Sequence, residues 1–538
     1  MARTPAIRAI TRVACANEAP VDRRLTRADF ARMLAAGTAG IVLAPSFTAG
    51  SSFAAGRERV AVVGAGIAGL SCAMTLHDAG IDAAVFESSS RVGGRMHSEA
   101  SYWDGGQHTE WCGSMIDSNH HTMRALAERF RLPLDDTLAP LKPHSRDTAF
   151  VHNAQYPMTH ADSDFGPVYR TLQSQLGKIG PTTTYDSATA EARRLDNTSM
   201  AQWIDSYVPG GRKSKFGTLI DDALTNEYGV DSSRQSALNL VYMLGVQHNY
   251  NAQGGQMNVL GYSDQRYNIR GGNQRLPKAI ASKLPAGTIR FQHRLSAIAR
   301  KPTGRYALRF STAHGEVTEL YDRVVLAIPF VTLRGVDYGS AGFDARKKAA
   351  IEELGYGMHT KLQMQFRDKP WNGSGPWEHP TTGQIWTDLG FQNSVDFSLG
   401  QSGPFGLIER FTAGTAGLID TPAIPYATID QSPAVGRQVR KFFGELEHMW
   451  PGIAKHWNGK ATFGNAQVDP NLQATYSCWL LGQYTKFAGY ERAPQGRVHF
   501  AGEHCSIENQ GFMEGAASTG IAAARELLVD YNIREKRA

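Results

Sequence analysis

Apolar residues fall into short runs once the chain passes its first 57 positions. Val60 to Val63 is four apolar residues in succession, the pattern of a strand buried on both faces. Leu70 to Ala79 places apolar residues at helical spacing, and Ala83 to Phe86 is a second apolar run closed by Glu87. Strand, helix and strand in that order predict a βαβ unit. RVVLAIP (323–329) reads as another buried strand, and GRVHFAGEH as an apolar strand running into Gly502-Glu503. IRFQHRLSAIARKPTGRYALRFST reads as two strands joined at a Gly turn, and NIRGGNQRLPKAIASKL (268–284) as a turn leading into a helix. Residues 131–265 mix helical patterns with polar loops, and no tandem repeat or long low-complexity tract appears. Near the C-terminus, ENQGFMEGAASTG (Glu508 to Gly520) opens a helix with Gly and Ala where larger residues would make a better core. Something must come close to that backbone.

The turn after the first predicted strand is Gly64-Ala65-Gly66-Ile67-Ala68-Gly69, with an acid, Glu87, 18 residues beyond the last Gly. A GxGxxG alone is weak, but with a strand before it and a helix after it the pattern is specific. Gly64 makes the tight turn, Gly66 lets a pyrophosphate approach the backbone, and Gly69 lets helix and strand pack closely. The helix N-terminus favours the phosphate charge. Glu87 suits ribose hydroxyls and disfavours a 2′-phosphate, which argues against NADP. The unit does not by itself separate NAD from FAD. Arg91-Val92-Gly93-Gly94-Arg95 adds a second bare backbone and a fixed cation, which suits a phosphate-and-flavin contact.

The chain has 538 residues, enough for two or three domains with ample core. The formal net charge is +6, but residues 1–57 hold eight Arg and three acids, a local charge of +5. The remainder is near neutral, so the basic balance does not argue for nucleic-acid binding. Cys15, Cys72, Cys112, Cys478 and Cys505 show no CxxC spacing, and neither a metal site nor a disulfide framework is expected. No apolar run reaches the roughly 18 residues of a membrane span. Arg23-Arg24 followed by an Ala/Gly-rich apolar stretch resembles a twin-arginine export signal, so a periplasmic or secreted protein is expected. A disordered Arg-rich tail, an organellar transit peptide and a cytoplasmic location are the alternatives.

Three separated segments carry a family resemblance: the Gly64 unit with Glu87 and RVGGR, then GGNQRLP, then GQYTKFAG with FAGEHCSIENQGFMEGAA. Together they resemble the flavin-containing amine oxidase family of monoamine, polyamine and L-amino acid oxidases. The resemblance implies an α/β (mixed α+β) fold with a discontinuous Rossmann-like FAD-binding domain from 57–130, 266–330 and 469–535. A substrate domain of mixed sheet and helices would occupy 131–265 and 331–468, after a targeting segment at 1–56. FAD would be held by Gly64, Gly66, Ala68, Gly69, Glu87 and Arg95, with Leu295 at the adenine, Gly502 and Glu503 along the chain, and Met513. Gly511, Gly515 and Ala516 would leave room for the flavin ring.

The same resemblance assigns the reacting end. Tyr484 and Phe512 match the aromatic pair that guides an amine, with Phe where the family often has Tyr. Lys361 in GMHTKLQMQF matches the lysine that holds a water near flavin N5; the alternative is an alternating strand with Lys on its wet face. Gln483 stands where some monoamine oxidases carry a flavin-linked Cys, which implies non-covalent FAD. Met115-Ile116 replaces an Arg that some L-amino acid oxidases use for the substrate carboxylate. Glu110 and Asp117 could meet the distal ammonium of a diamine or polyamine, or serve as loop and helix-cap residues. Cys505 reads as a small buried filler. The implied reaction is hydride transfer from the carbon beside nitrogen to flavin N5, giving an imine that hydrolyses, with dioxygen reduced to hydrogen peroxide. L-amino acid oxidation, carbon–carbon desaturation and non-enzymatic FAD binding are the rivals. No nucleic-acid partner is implied, and a homodimer is one assembly the resemblance allows.

Overall fold

The computed structural model describes residues 58–530, apart from 374, 376 and 378. The export-like segment and Cys15 lie outside these residues. Five strands form a parallel sheet in the order Ile289–Arg290, Ala83–Phe86, Val60–Val63, Arg323–Leu326 and Val498–Phe500. Val60–Val63 is central and all four residues are buried, which is why its apolar run is unbroken. The sheet thus gathers strands from positions more than 400 residues apart in sequence. The helix after the first strand, Ile67–Asp78, begins directly at the glycine turn, three residues before its apolar spacing becomes regular.

The stretch read as two strands forms Arg294–Arg300 and Tyr306–Thr312 in antiparallel register, and Gly315–Tyr321 adds a third strand. The ladder shifts register between Leu295 and Ala297. Gly315–Tyr321 was not legible because most of its residues face solvent.

The helix Met513–Asp530 lies across Ile67–Asp78, and here the run of small residues has its main explanation. A methyl group on Gly520 would sit 2.0 Å from the Ala68 carbonyl oxygen. One on Gly515 would sit 2.0 Å from the Asn509 carbonyl oxygen. Both glycines make way for the protein's own backbone, so Gly515 does not clear space for a ligand as expected. Glu514 has a local task as well. Its carboxylate accepts from the Thr122 and Met123 amides at 3.0 and 2.8 Å, capping the helix His121–Arg129 from a neighbouring element.

A mixed sheet of eight strands stands apart from the parallel one. Its order is Tyr426–Thr428, Trp457–Asn465, His359–Phe366, Gly406–Ala413, Asn393–Asp396, Thr381–Thr387, Arg146–Val151 and Ala154–Gln155. Helices from the 131–265 stretch, among them Met158–Ile179, Lys215–Tyr228 and Ala237–Leu244, bury their apolar faces in one shared core. Every residue of His359–Phe366 is buried. Leu362, Met364 and Phe366 face one apolar core, while His359, Lys361, Gln363 and Gln365 occupy the other face. That polar face is internal: Gln363 bonds Thr109 and Glu110, and Gln365 bonds Asp104 and Gln107. Lys361 is therefore not on a wet face.

Candidate active site

A cavity of about 720 Å³ opens at the carboxyl ends of the parallel strands. Gly64, Glu87, Ala327 and Gly502, each just past a strand end, are on its wall. This is where open α/β sheets bind ligands. At the other end the wall includes Lys361, Phe411, Tyr476 and Phe512.

The three motif glycines divide their work. Gly64 has φ +104°, and a methyl there would meet the Ala327 carbonyl oxygen at 2.6 Å. A methyl on Gly69 would meet the Gly64 carbonyl oxygen at 1.9 Å, so Gly69 permits helix packing and is not itself on the wall. A methyl on Gly66 would meet nothing within 4 Å. Only at Gly66 does the missing side chain leave open cavity. Gly66 also caps Ile67–Asp78 without any side-chain cap, and no acid lies in the first turn. A bare glycine before an uncapped 12-residue helix fits a diphosphate.

Glu87 is buried on the wall and accepts the Ala65 amide at 2.8 Å and the Ser89 amide at 2.8 Å. Arg95 pairs with Glu503 at 2.9 Å and also donates to the Thr475 carbonyl. Glu503 gathers further donors, from Ser477 Oγ at 2.7 Å and the Gly511 amide at 2.9 Å. Burial would raise the Glu503 carboxyl, but the Arg95 guanidinium and these donors hold it below the ordinary range. Ala68, Leu295, Gly502, Met513, Gly511 and Ala516 are also on the wall.

Lys361 Nζ is 3.0 Å from Glu409 Oε1 and donates to Ser114 Oγ. Lys361 and Glu409 are 6% and 4% exposed, so this is a buried ion pair on a cavity wall. His359, two residues away, stacks on Phe411 with ring centroids 4.6 Å apart and lies 2.9 Å from the Tyr476 hydroxyl. Burial pushes its imidazole down to about 3, so it is neutral. Phe512 meets His120 edge-on at 4.8 Å.

Four expected residues are elsewhere. Tyr484 is packed on Trp479 at 4.9 Å and donates to Asn239 Oδ1 at 3.0 Å, away from the wall. The tyrosine on the wall is Tyr476, whose hydroxyl donates to the Glu227 carbonyl. Gln483 accepts from the Gly355 and Leu480 amides and so braces a loop. The residue that precedes the wall tyrosine is Thr475. Glu110 is fully buried and off the wall, accepting from the Asn273 amide at 2.7 Å and Ser98 Oγ at 2.8 Å. Burial raises its carboxyl to about 8. Asp117 accepts from Ser263 Oγ and the Gln265 amide, both at 3.0 Å, which ties the 263–265 loop. It neither caps His121–Arg129 nor reaches the cavity.

Tyr476, His359, Glu409 and Phe411 were missed. A signal existed for Phe411 and Glu409: LIERFTA alternates like the strand of Lys361, and the two strands pair Lys361 with Phe411 and Gln363 with Glu409. Tyr476 lies in a loop before the short strand Ser477–Cys478, and GQYT competed with it as a plausible motif.

A parallel sheet with a glycine-lined cradle, joined by one cavity to a buried lysine and aromatic rings, defines a dinucleotide-dependent redox protein. The family model of flavin containing amine oxidoreductases matches residues 67–528, and the chain belongs to that family. It is 24% identical over 499 residues to the putative L-amino-acid oxidase YobN of Bacillus subtilis (strain 168), covering 87% of this chain and 94% of that protein. It is 23% identical over 489 residues to polyamine oxidase 3 of Oryza sativa subsp. japonica, covering 86% and 88%. Its fold matches cyclohexylamine oxidase from Brevibacterium oxydans IH-35A with a TM-score of 0.73 at 18% identity, covering 88% of this chain and 99% of that one. The protein is a flavin oxidoreductase of amine oxidase type, with the FAD-binding fold. Among the described residues no helix is long and apolar enough to cross a membrane, and no cluster of metal-ligating side chains exists.

Proposed function

We propose that the protein is an FAD-dependent oxidase of primary or secondary amines that yields an imine, with dioxygen as acceptor and hydrogen peroxide as by-product. The observation that carries this reading is the single cavity that joins the Gly66 cradle to Lys361, Tyr476 and Phe512. Gly64, Gly66, Ala68, Glu87, Arg95, Leu295, Gly502, Glu503 and Met513 would hold FAD, with Gly69 acting through packing. Non-covalent attachment is favoured because Thr475, not a cysteine, precedes the wall tyrosine. Bound flavin supplies an acceptor for the hydride on the carbon beside nitrogen.

The chain's own residues prepare the amine. Free alkylamines are protonated at neutral pH and must lose a proton before that carbon can give up hydride. The ring faces of Tyr476 and Phe512 attract the cation on entry. Their desolvating surroundings, with Phe411 and Trp111, then favour the neutral form. Lys361, tied to Glu409 and Ser114, supplies a fixed polar group at the same end.

An amine is favoured over an amino acid by the state of the wall arginines. Arg91 donates to the Gly94 carbonyl, Arg95 pairs with Glu503, and Arg294 donates to Pro470 and Asn471. Each is already engaged by the protein, so a substrate carboxylate would have to compete for it. Glu227, at the end of Lys215–Tyr228, also reaches the wall, where its backbone carbonyl accepts from the Tyr476 hydroxyl. The test is anaerobic mixing of the holoprotein with monoamines, diamines and L-amino acids. Amines should bleach the flavin absorbance and amino acids should not; the opposite ranking would overturn the reading.

A further inference from the structure

The lysine on the cavity wall does not stand alone in its strand. Glu409 enters from the neighbouring strand Gly406–Ala413 and puts Oε1 3.0 Å from Lys361 Nζ. Its other oxygen, Oε2, accepts from Gln363 Nε2 at 2.7 Å. The Gln363 amide is itself fixed. Its oxygen accepts from Thr109 Oγ1 at 2.9 Å and Thr462 Oγ1 at 2.8 Å, and its nitrogen also donates to the Glu110 carbonyl at 2.8 Å. Four strands, His359–Phe366, Gly406–Ala413, Trp457–Asn465 and Thr109–Glu110, therefore hold one carboxylate against one ammonium, with both oxygens of that carboxylate engaged.

An ammonium buried this deeply needs an anion in contact, because an unpaired buried charge is costly. The other groups that face it do not offset this. His359 is neutral, Cys112 is a thiol raised by burial, and Glu110 is off the wall with its own carboxyl raised by burial. Glu409 is the remaining anion in contact. We propose that Glu409 is a positioning residue that keeps Lys361 an ammonium and makes the pair neutral toward an arriving cationic amine. This rests on the amine oxidase reading only in its second half. The first half concerns the resting holoprotein.

The two halves are tested separately. The visible absorbance of bound flavin responds to a nearby charge, so it can be titrated in oxidised holoprotein without substrate. Glu409→Gln keeps the shape and removes the charge, while Glu409→Asp keeps the charge and shortens the reach. In Glu409→Gln a pH transition should appear that wild type lacks, since the buried ammonium has lost the anion that pairs with it. Glu409→Asp should behave as wild type, and the transition should vanish in Lys361→Met/Glu409→Gln. With amine substrate at a pH below that transition, where Lys361 is still an ammonium, Glu409→Gln should raise KM about tenfold with a smaller change in kcat, through the uncompensated cation. In the Lys361→Met background that KM effect should disappear. No new transition in Glu409→Gln, or a KM effect that simply adds to that of Lys361→Met, overturns the proposal. If no amine bleaches wild type, the amine reading fails, and the substrate-free titration still decides whether Glu409 holds the lysine charged.

Discussion

Gly66 and Gly69 are three residues apart in one motif, yet alanine should fail at each for a different reason. At Gly66 the backbone is extended (φ −71°, ψ 177°), which alanine adopts freely, and its methyl would meet nothing within 4 Å. Losing the glycine at a helix N-cap costs from a few tenths to about 1 kcal/mol. The reduced freedom of the unfolded chain returns about 0.4–1 kcal/mol. The flavin-free protein should therefore melt as wild type does. The methyl would, however, project where a phosphate must reach the helix amides. Each charge-assisted hydrogen bond lost there is worth about 1.5–3 kcal/mol, or roughly ten- to a hundredfold in affinity. At Gly69 the methyl lies 1.9 Å from a backbone oxygen, and relieving that overlap costs about 1–3 kcal/mol or more in folding. The assay is thermal melting of stripped protein alongside the ratio of flavin to protein after gel filtration. Gly66→Ala should keep the melting temperature and lose flavin, and Gly69→Ala should lose both. A Gly66→Ala protein that retains flavin with wild-type affinity would refute the assignment of this turn to the diphosphate.

Lys361→Met should leave flavin bound and slow anaerobic bleaching by amine at least tenfold; bleaching at the wild-type rate in a stopped-flow trace would remove Lys361 from the reacting end. Tyr476→Ala should impair steady-state turnover of amines far more than Tyr484→Phe, which removes only a hydroxyl bonded to Asn239; the reverse order would restore Tyr484 as the guiding ring. Glu110 has a folded pKa raised to about 8 against an unfolded value near 4.3. A raised carboxyl lends its stability below the unfolded value and loses it as pH rises through the folded one. Stability should thus fall by about 1.4 kcal/mol per pH unit from this group between about pH 5 and 8. Glu110→Gln should flatten that part of a melting-temperature curve, and an unchanged slope would show that Glu110 is ionised in the fold.

The dinucleotide half was legible because its chemistry is written in the backbone. Glycines at 64, 66 and 69 and the apolar runs around them admit few other structures, and the parallel sheet follows from four separate buried runs. The C-terminal helix was read for the wrong reason at Gly515. Small residues signal close approach, but the sequence does not say whether a ligand or the Asn509 and Ala68 carbonyls approach. The reacting end was harder. Lys361 stood out as a charge in an apolar strand, but its partner Glu409 is 48 positions away and is brought near only by antiparallel register. Glu110 and Asp117 looked available for a substrate because loop acids usually are. The structure spends both on backbone amides and hydroxyls instead. Tyr484 and Tyr476 are eight residues apart in one loop-rich segment, and only the fold shows which ring reaches the cavity.

A cavity that brings an amine to a bound flavin should let the amine alone reduce that flavin. Anaerobic stopped-flow spectroscopy of the purified holoprotein tests it most directly, with a monoamine, a diamine and an L-amino acid mixed in turn. Rapid loss of the flavin's visible absorbance is expected with an amine, and none with the amino acid. Full bleaching by the amino acid alone would mean that the cavity takes a substrate carboxylate instead.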